Sequence, residues 1–178
     1  MIITAGQFKG QKIVAPDENI TRPTLSKVRM SVFNTLQAIM DYENKTFLDM
    51  FSGSGIMGLE ALSRGFGAVV AFEKNPKVAS VLKKNAEFLH KYKKSDNYKL
   101  FVGDGLKLPA KINQKFDCIY IDPPYFSGVY EESLNAIKDF ACGVIILEHV
   151  TDVDFCGFEV IKQKKYGNKF LTFLQKDC

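Results

Sequence analysis

Two short stretches carry the residue types that chemistry needs. The first, Asp49-Met50-Phe51-Ser52-Gly53-Ser54-Gly55-Ile56-Met57-Gly58, follows an apolar run and opens a helix-forming one, so it reads as strand, tight turn and helix. Gly53, Gly55 and Gly58 fit the spacing G-x-G-x-x-G, and Glu73 stands twenty residues beyond Gly53. Those letters suggest a dinucleotide, whose ribose an acid at that distance would hold. Asp49 argues against it, because a carboxylate just before the turn repels a pyrophosphate. The second stretch is Asp122-Pro123-Pro124-Tyr125. Its prolines fix the backbone and remove two donors, leaving carbonyls free to accept. An acid, a carbonyl acceptor and an aromatic ring in a rigid turn suit a planar group with an exocyclic amine. Asp122 and the Pro123 carbonyl would hold the amine hydrogens while Tyr125 stacks on the ring.

A ligand for the first stretch should have a cationic amino-acid end, a ribose and an adenine, but no phosphate. S-adenosyl-L-methionine has those parts. Asp49 would face its ammonium or sulfonium side, and Glu73 would accept from the ribose hydroxyls. Asp104 would meet the adenine amine, with Gly103 and Gly105 leaving room for the ring. Phe51, Gly53, Ser54, Gly55, Lys74, Gly105 and Asp122 complete the expected cofactor site.

These residues need a scaffold that brings them together. Apolar runs at 46–50, 68–72, 98–102, 116–121 and 143–147 lack polar alternation and are separated by helical patterns, which indicates a parallel sheet covered on both faces. Asp49, Glu73, Asp104, Asp122 and Glu148 follow those five runs, so all five acids should collect at the carboxyl edge, where open α/β sheets bind ligands. Glu148 is read as ending its strand rather than as a chemical group. Residues 158–162 and 170–174, separated by the basic stretch 164–168, suggest a closing antiparallel hairpin. The chain divides into a basic extension, 1–45, and a core, 46–178. In the extension a small hairpin with a basic tip precedes a helix over 25–40, whose apolar stripe is Val28, Val32, Phe33, Leu36 and Ile39 or Met40. Arg29 and Lys27 are placed off that stripe.

At 178 residues and 46% hydrophobic the chain suits one globular domain. No apolar run reaches the roughly 18–20 residues of a membrane span, and the start lacks the charge-then-apolar order of a secretory signal, so a cytoplasmic location is expected. Four scattered cysteines and two histidines make reduced thiols and no metal site the expectation. The net charge of +4 is concentrated. Lys9, Arg22, Lys27 and Arg29 at one end, with Lys164 and Lys165 at the other, form a candidate surface for nucleic-acid phosphates.

The D-x-F-x-G-x-G-x-x-G and D-P-P-Y patterns resemble class I S-adenosylmethionine-dependent methyltransferases acting on exocyclic amines of nucleobases. Ile3-Thr4-Ala5-Gly6-Gln7-Phe8-Lys9-Gly10, Thr21-Arg22-Pro23-Thr24, Val28-Arg29 with Phe33-Asn34, and Leu59-Glu60-Ala61-Leu62-Ser63-Arg64-Gly65 resemble, more narrowly, the RsmD family. The resemblance implies a single Rossmann-like α/β domain with a mostly parallel seven-stranded sheet, helices on both faces and a C-terminal antiparallel hairpin. It also implies methyl transfer to guanine N2 in 16S ribosomal RNA, with Asp122, Pro123 and Tyr125 as the catalytic turn. The partner would be the small ribosomal subunit, met by a monomer without metal or membrane. D-P-P-Y alone also admits DNA adenine-N6 or cytosine-N4 methylation, or methylation of protein glutamine. The scaffold alone admits a non-catalytic RNA-binding assembly factor.

Overall fold

The computed structural model describes residues 1–16, 26–110, 112–124 and 128–176, with 108–110 as backbone only. Seven strands, β1 Thr46–Asp49, β2 Ala68–Glu73, β3 Tyr98–Val102, β4 Phe116–Ile121, β5 Ala141–His149, β6 Glu159–Tyr166 and β7 Lys169–Lys176, form one sheet in the order β3-β2-β1-β4-β5-β7-β6. The first five are parallel, and β7 runs antiparallel between β5 and β6. This is the mostly parallel sheet with a closing hairpin that the sequence leads one to expect.

Strand residues alternate between two buried layers. Phe47, Val69, Cys118, Tyr120, Ile146 and Phe173 join one core with Phe33 and Leu36 of α1 (Ser26–Ile39) and Met57 and Leu59 of α2 (Ile56–Arg64). Leu48, Val70, Ile119, Ile121, Ile145 and Leu147 join the other with Tyr130 and Leu134 of α4 (Val129–Ala136). Between β2 and β3, α3 (Pro76–Ala86) starts as its sequence dictates, with Asn75 accepting the Lys77 amide at 2.9 Å and proline in the first turn.

Every residue of α2 from Ile56 to Ser63 is buried, because the N-terminal segment lies over its outer side. Phe8 N–H donates to Ser63 Oγ at 2.9 Å and Gln7 N–H to Ser63 O at 2.7 Å. Gly6, at φ +82°, comes so close that a Cβ would sit 1.9 Å from the Ser63 carbonyl oxygen. Ile3, Phe8 and Ile13 are buried there. The expected small hairpin forms here: Ile2 bridges antiparallel to Lys12, the Ile3 amide donates to the Gln11 carbonyl at 3.0 Å, the Gly10 amide to the Ile3 carbonyl at 2.9 Å and the Ile13 amide to the Met1 carbonyl at 2.9 Å.

The basic stretch expected as a turn is also different. Lys164, Lys165 and Tyr166 belong to β6, and the turn narrows to Gly167 and Asn168. Residues 21–24, and Arg22 with them, lie outside the described residues. Cys118 is a buried free thiol and Cys156 a half-buried one. Among the described residues no helix is long and apolar enough to cross a membrane.

Candidate active site

Sheet order turns five separate strand ends into a row. Across the carboxyl edge stand Asp104 after β3, Glu73 on β2, Asp49 on β1, Asp122 after β4 and Glu148 on β5. The gap between β1 and β4 is where the connections leave in opposite directions, the position at which such sheets form their crevice.

Asp49 lies beside that gap and is 1% exposed. Neither of its carboxylate oxygens has a hydrogen-bond partner. Burial pushes its carboxyl up to about 7, and the charges of Asp122 and Glu73 add to that push; the Gly58 amide and Ser52 hydroxyl offset part of it without bonding to the carboxylate. The Tyr98 hydroxyl, buried beside the glycine turn, is a second polar atom with no hydrogen-bond partner. A buried anion without a donor is costly unless a cation completes it. A ligand carrying an ammonium or sulfonium supplies that cation, so the residues fit S-adenosylmethionine.

The glycines divide their work differently from the sequence reading. Gly53, at φ +52°, faces open space, so it leaves room for a ligand. At Gly55, φ +80°, a Cβ would fall 2.8 Å from Leu82 Cγ and 3.0 Å from the Tyr98 oxygen, and at Gly58 it would fall 2.9 Å from Val69 Cγ1. These two let α2 approach the sheet and Tyr98. Gly105 likewise packs on the Met50 carbonyl, where a Cβ would sit 2.3 Å from the oxygen. Gly55→Ala combines this clash with left-handed strain and should cost about 1–3 kcal/mol in urea unfolding. Wild-type stability would show that α2 has slack at this turn.

Glu73 braces the turn from the next strand. Its Oε2 accepts the Gly53 amide at 2.9 Å and its Oε1 the Asn75 amide at 2.7 Å. Burial raises its carboxyl, while the Asn75 and Gly53 amides pull it back. Each oxygen keeps a lone pair for a ligand hydroxyl. Asp104 accepts the Leu106 amide at 3.1 Å and the Lys74 ammonium at 2.9 Å. Partial desolvation would raise its carboxyl, but Lys74 and the Leu106 amide together hold it below the usual range. Lys74 is largely exposed and therefore serves Asp104. Ser54 is buried, and its carbonyl accepts from Asn85 at 2.9 Å. Phe51 is half-buried against the α4-side core.

Asp122 is half-buried just past β4, with Pro123 buried behind it. Its Oδ1 lies 3.7 Å from the ammonium of Lys169, which is 2.7 Å from Glu148 Oε2. The Tyr120 hydroxyl donates to Glu148 Oε1. Burial drives the Tyr120 hydroxyl well above its ordinary value, and the Glu148 charge adds to that. Glu148 therefore does more than end a strand. Tyr125 lies outside the described residues, so its stacking role rests on sequence alone.

The basic residues scatter more than their spacing suggests. Lys9 and Lys27 are exposed. Arg29 is 0% exposed, its Nε 3.3 Å from Glu60 Oε2 and its Nη2 donating to the Ile2 carbonyl at 2.8 Å, so it is no phosphate ligand. Lys164 donates to Thr35 at 2.7 Å and Ser31 at 3.1 Å, spending two of its three donors on α1. Lys165 stays exposed over the Phe170 ring. The bonds from Lys164 to α1 bring the two ends' basic groups onto neighbouring elements, with Lys27 and Lys165 as their outward members.

Sequence reasoning missed Tyr98, Lys169 and Asn85. Asn85 is buried and bonds to both the Val14 amide and carbonyl as well as the Ser54 carbonyl, tying the N-terminal segment to the glycine turn. Its signal was a polar residue within the helical face that also carries Val78 and Leu82.

Ribosomal RNA small subunit methyltransferase D of Escherichia coli is 33% identical over 137 residues, 77% of this chain and 66% of that protein, so the match spans just under two thirds of the relative's length. YlbH of Bacillus subtilis is 32% identical over 158 residues, covering 86% of this chain and 85% of its own. The solved structure of yhhF from Escherichia coli superimposes with a TM-score of 0.86 at 27% identity, covering 100% of this chain and 98% of that one, and gives the fold its class I methyltransferase assignment. The model of the family described as Conserved hypothetical protein 95 matches residues 1–175. On that match, the chain belongs to this family, the RsmD family.

Proposed function

We propose that the protein transfers a methyl group from S-adenosylmethionine to the exocyclic N2 of a guanine in small-subunit 16S ribosomal RNA. One observation carries this reading: an orphaned buried carboxylate, Asp49, lies across the β1–β4 gap from the Asp122-Pro123-Pro124 turn. Asp49 would hold the cationic end of the cofactor, Glu73 its ribose and Asp104 its adenine. When bound, the cofactor supplies an electrophilic methyl, so the new N–C bond forms as the S–C bond breaks with its electron pair going to sulfur.

Asp122 and the Pro123 carbonyl hold the two amine hydrogens and draw the N2 lone pair out of conjugation with the ring. Asp122 accepts the proton that N2 gives up. Positioning of this kind supplies ~7–11 kcal/mol of barrier reduction. A paired guanine cannot enter such a crevice, so the base is unpaired or flipped out, with Tyr125 expected from sequence to stack on it. Lys9, Lys27 and Lys165 meet backbone phosphates and position the RNA without reading its sequence.

Incubation with methyl-labelled cofactor and unmodified 30S particles, naked 16S RNA or DNA tests the reading. Label in a guanine of the particle or RNA is the expected result. Label confined to DNA, or absent from every RNA, overturns it.

A further inference from the structure

The chain from Tyr120 through Glu148 and Lys169 to Asp122 is more construction than a strand end requires. Glu148 is 1% exposed, and its two oxygens are divided between the Tyr120 hydroxyl and the Lys169 ammonium. A carboxylate buried on this edge is tolerable only because a cation is brought to it. That cation arrives from the last of the seven strands. His149 pairs with Phe170 across the β5–β7 ladder, which sets Lys169 one residue beyond it, at the mouth of the crevice. Having met Glu148 at 2.7 Å, the same ammonium also faces Asp122 at 3.7 Å. Three side chains from β4, β5 and β7 thus converge behind the residue that holds the amine.

Asp122 stands in a crowded field of charge. Asp49 faces it from β1, with Glu73 behind on β2; Tyr120 belongs to its own strand, Glu148 to β5 and Lys169 to β7. Every charged neighbour among these except Lys169 is an acid, and acids favour the protonated carboxyl. A protonated Asp122 would turn one acceptor into a donor, and the amine would lose part of what aims its lone pair. Lys169 opposes that. Glu148 and Tyr120 fix the ammonium on the Asp122 side, where an unanchored lysine would swing into solvent.

We propose that Lys169, anchored by Glu148 and Tyr120, is a positioning residue that keeps Asp122 an ionised acceptor for the exocyclic amine of the substrate. The proposal rests on the methyl-transfer reading given above. It assigns Glu148 a purpose as well: it is the anchor, and Asp122 is what the anchored charge serves.

Titration of Asp122 by carbon-13 NMR in carboxyl-labelled protein, assigned with Asp122→Asn, reads the effect without any RNA. Lys169→Met should move the Asp122 midpoint upward by about one pH unit, as loss of a partly exposed cation near a carboxylate does. Lys169→Arg should restore it. Glu148→Gln takes away the anchor, lets the ammonium swing into solvent and should move the midpoint upward, part of the way to the Lys169→Met value. In transfer assays Lys169→Met should lower kcat about tenfold or more, leave cofactor affinity within about twofold, and shift the acid limb of the kcat profile in the same direction as the titration.

An Asp122 midpoint unmoved in Lys169→Met overturns the inference, even in a protein that methylates RNA. If Lys169→Met does not fold, an unmoved midpoint in Glu148→Gln overturns it equally. Shifted midpoints in a protein that methylates no RNA leave the inference standing and remove the guanine-N2 reading.

Discussion

Replacing Asp49 by asparagine should stabilise the free protein at neutral and higher pH while abolishing its affinity for S-adenosylmethionine. The buried carboxyl titrates near 7, against 3.8 for an ordinary aspartate. Between those values the folded chain keeps a proton that the unfolded chain releases. Stability from this group is therefore full below about 3.8, declines as pH rises and levels off above about 7. The difference corresponds to as much as about 4 kcal/mol at pH 8, which asparagine would recover because it never ionises. Urea midpoints across pH should separate in the alkaline range and converge near pH 4. Parallel curves would show that Asp49 is not the strained acid its burial implies. Cofactor affinity should follow the same group with opposite benefit: a cation selects the ionised form, so binding by calorimetry should tighten about tenfold from pH 6 to pH 8 in the wild type. In Asp49→Asn that rise should vanish together with the binding.

The other large effect is expected far from the crevice. Glu60 is 0% exposed and accepts from the Thr4 amide at 2.8 Å, the Ala5 amide at 3.1 Å, the Thr4 hydroxyl and Arg64 Nε at 2.9 Å, with Arg29 at 3.3 Å. Burial pulls the Arg29 guanidinium below its ordinary value, and Glu60 is what holds it up. Glu60→Ala leaves that charge unanswered inside the protein and cuts the N-terminal segment from α2, so a loss of about 3–5 kcal/mol is expected. Arg29→Ala should cost a comparable amount, and Arg29→Met with Glu60→Leu less than the sum of the singles, because the double variant removes both members of the fully buried pair together. A urea double-mutant cycle checks this. Arg29→Ala with unchanged stability but weakened RNA binding would return that arginine to the phosphate surface.

Much of the architecture is legible in the sequence because the parallel strands are written as mostly apolar runs, broken only by Lys99 in β3 and Asp117 in β4, and each runs into an acid. Arg29 misleads for a specific reason. Positions 29, 32, 33 and 36 share one helical face, so the spacing alone places Arg29 beside Val32, Phe33 and Leu36. Its charge argues for the surface instead, and Glu60, the partner that makes burial tolerable, is remote in sequence. The glycine turn is recognisable, but not its division of labour, since Gly55 and Gly58 answer to Leu82, Tyr98 and Val69 on other elements. Lys169 is hidden for a related reason. Within a lysine-rich segment nothing distinguishes it until the β5–β7 register sets it just beyond the His149–Phe170 pair, within reach of Glu148.

That register also bears on how the chain assembles. β7 is the last of the seven strands to be made, yet it sits inside the sheet, paired from Gly143 with Lys176 to His149 with Phe170. Until it docks, β5 exposes an apolar unpaired edge and β6 has no neighbour on which to form. Such pairing at long sequence separation is slow, and an open edge of this kind is where partly folded chains stick to one another. The step that closes the edge is also the one that delivers Lys169 to Asp122. A chain caught before it would be prone to aggregate and chemically incomplete for the same reason, so folding and competence finish together.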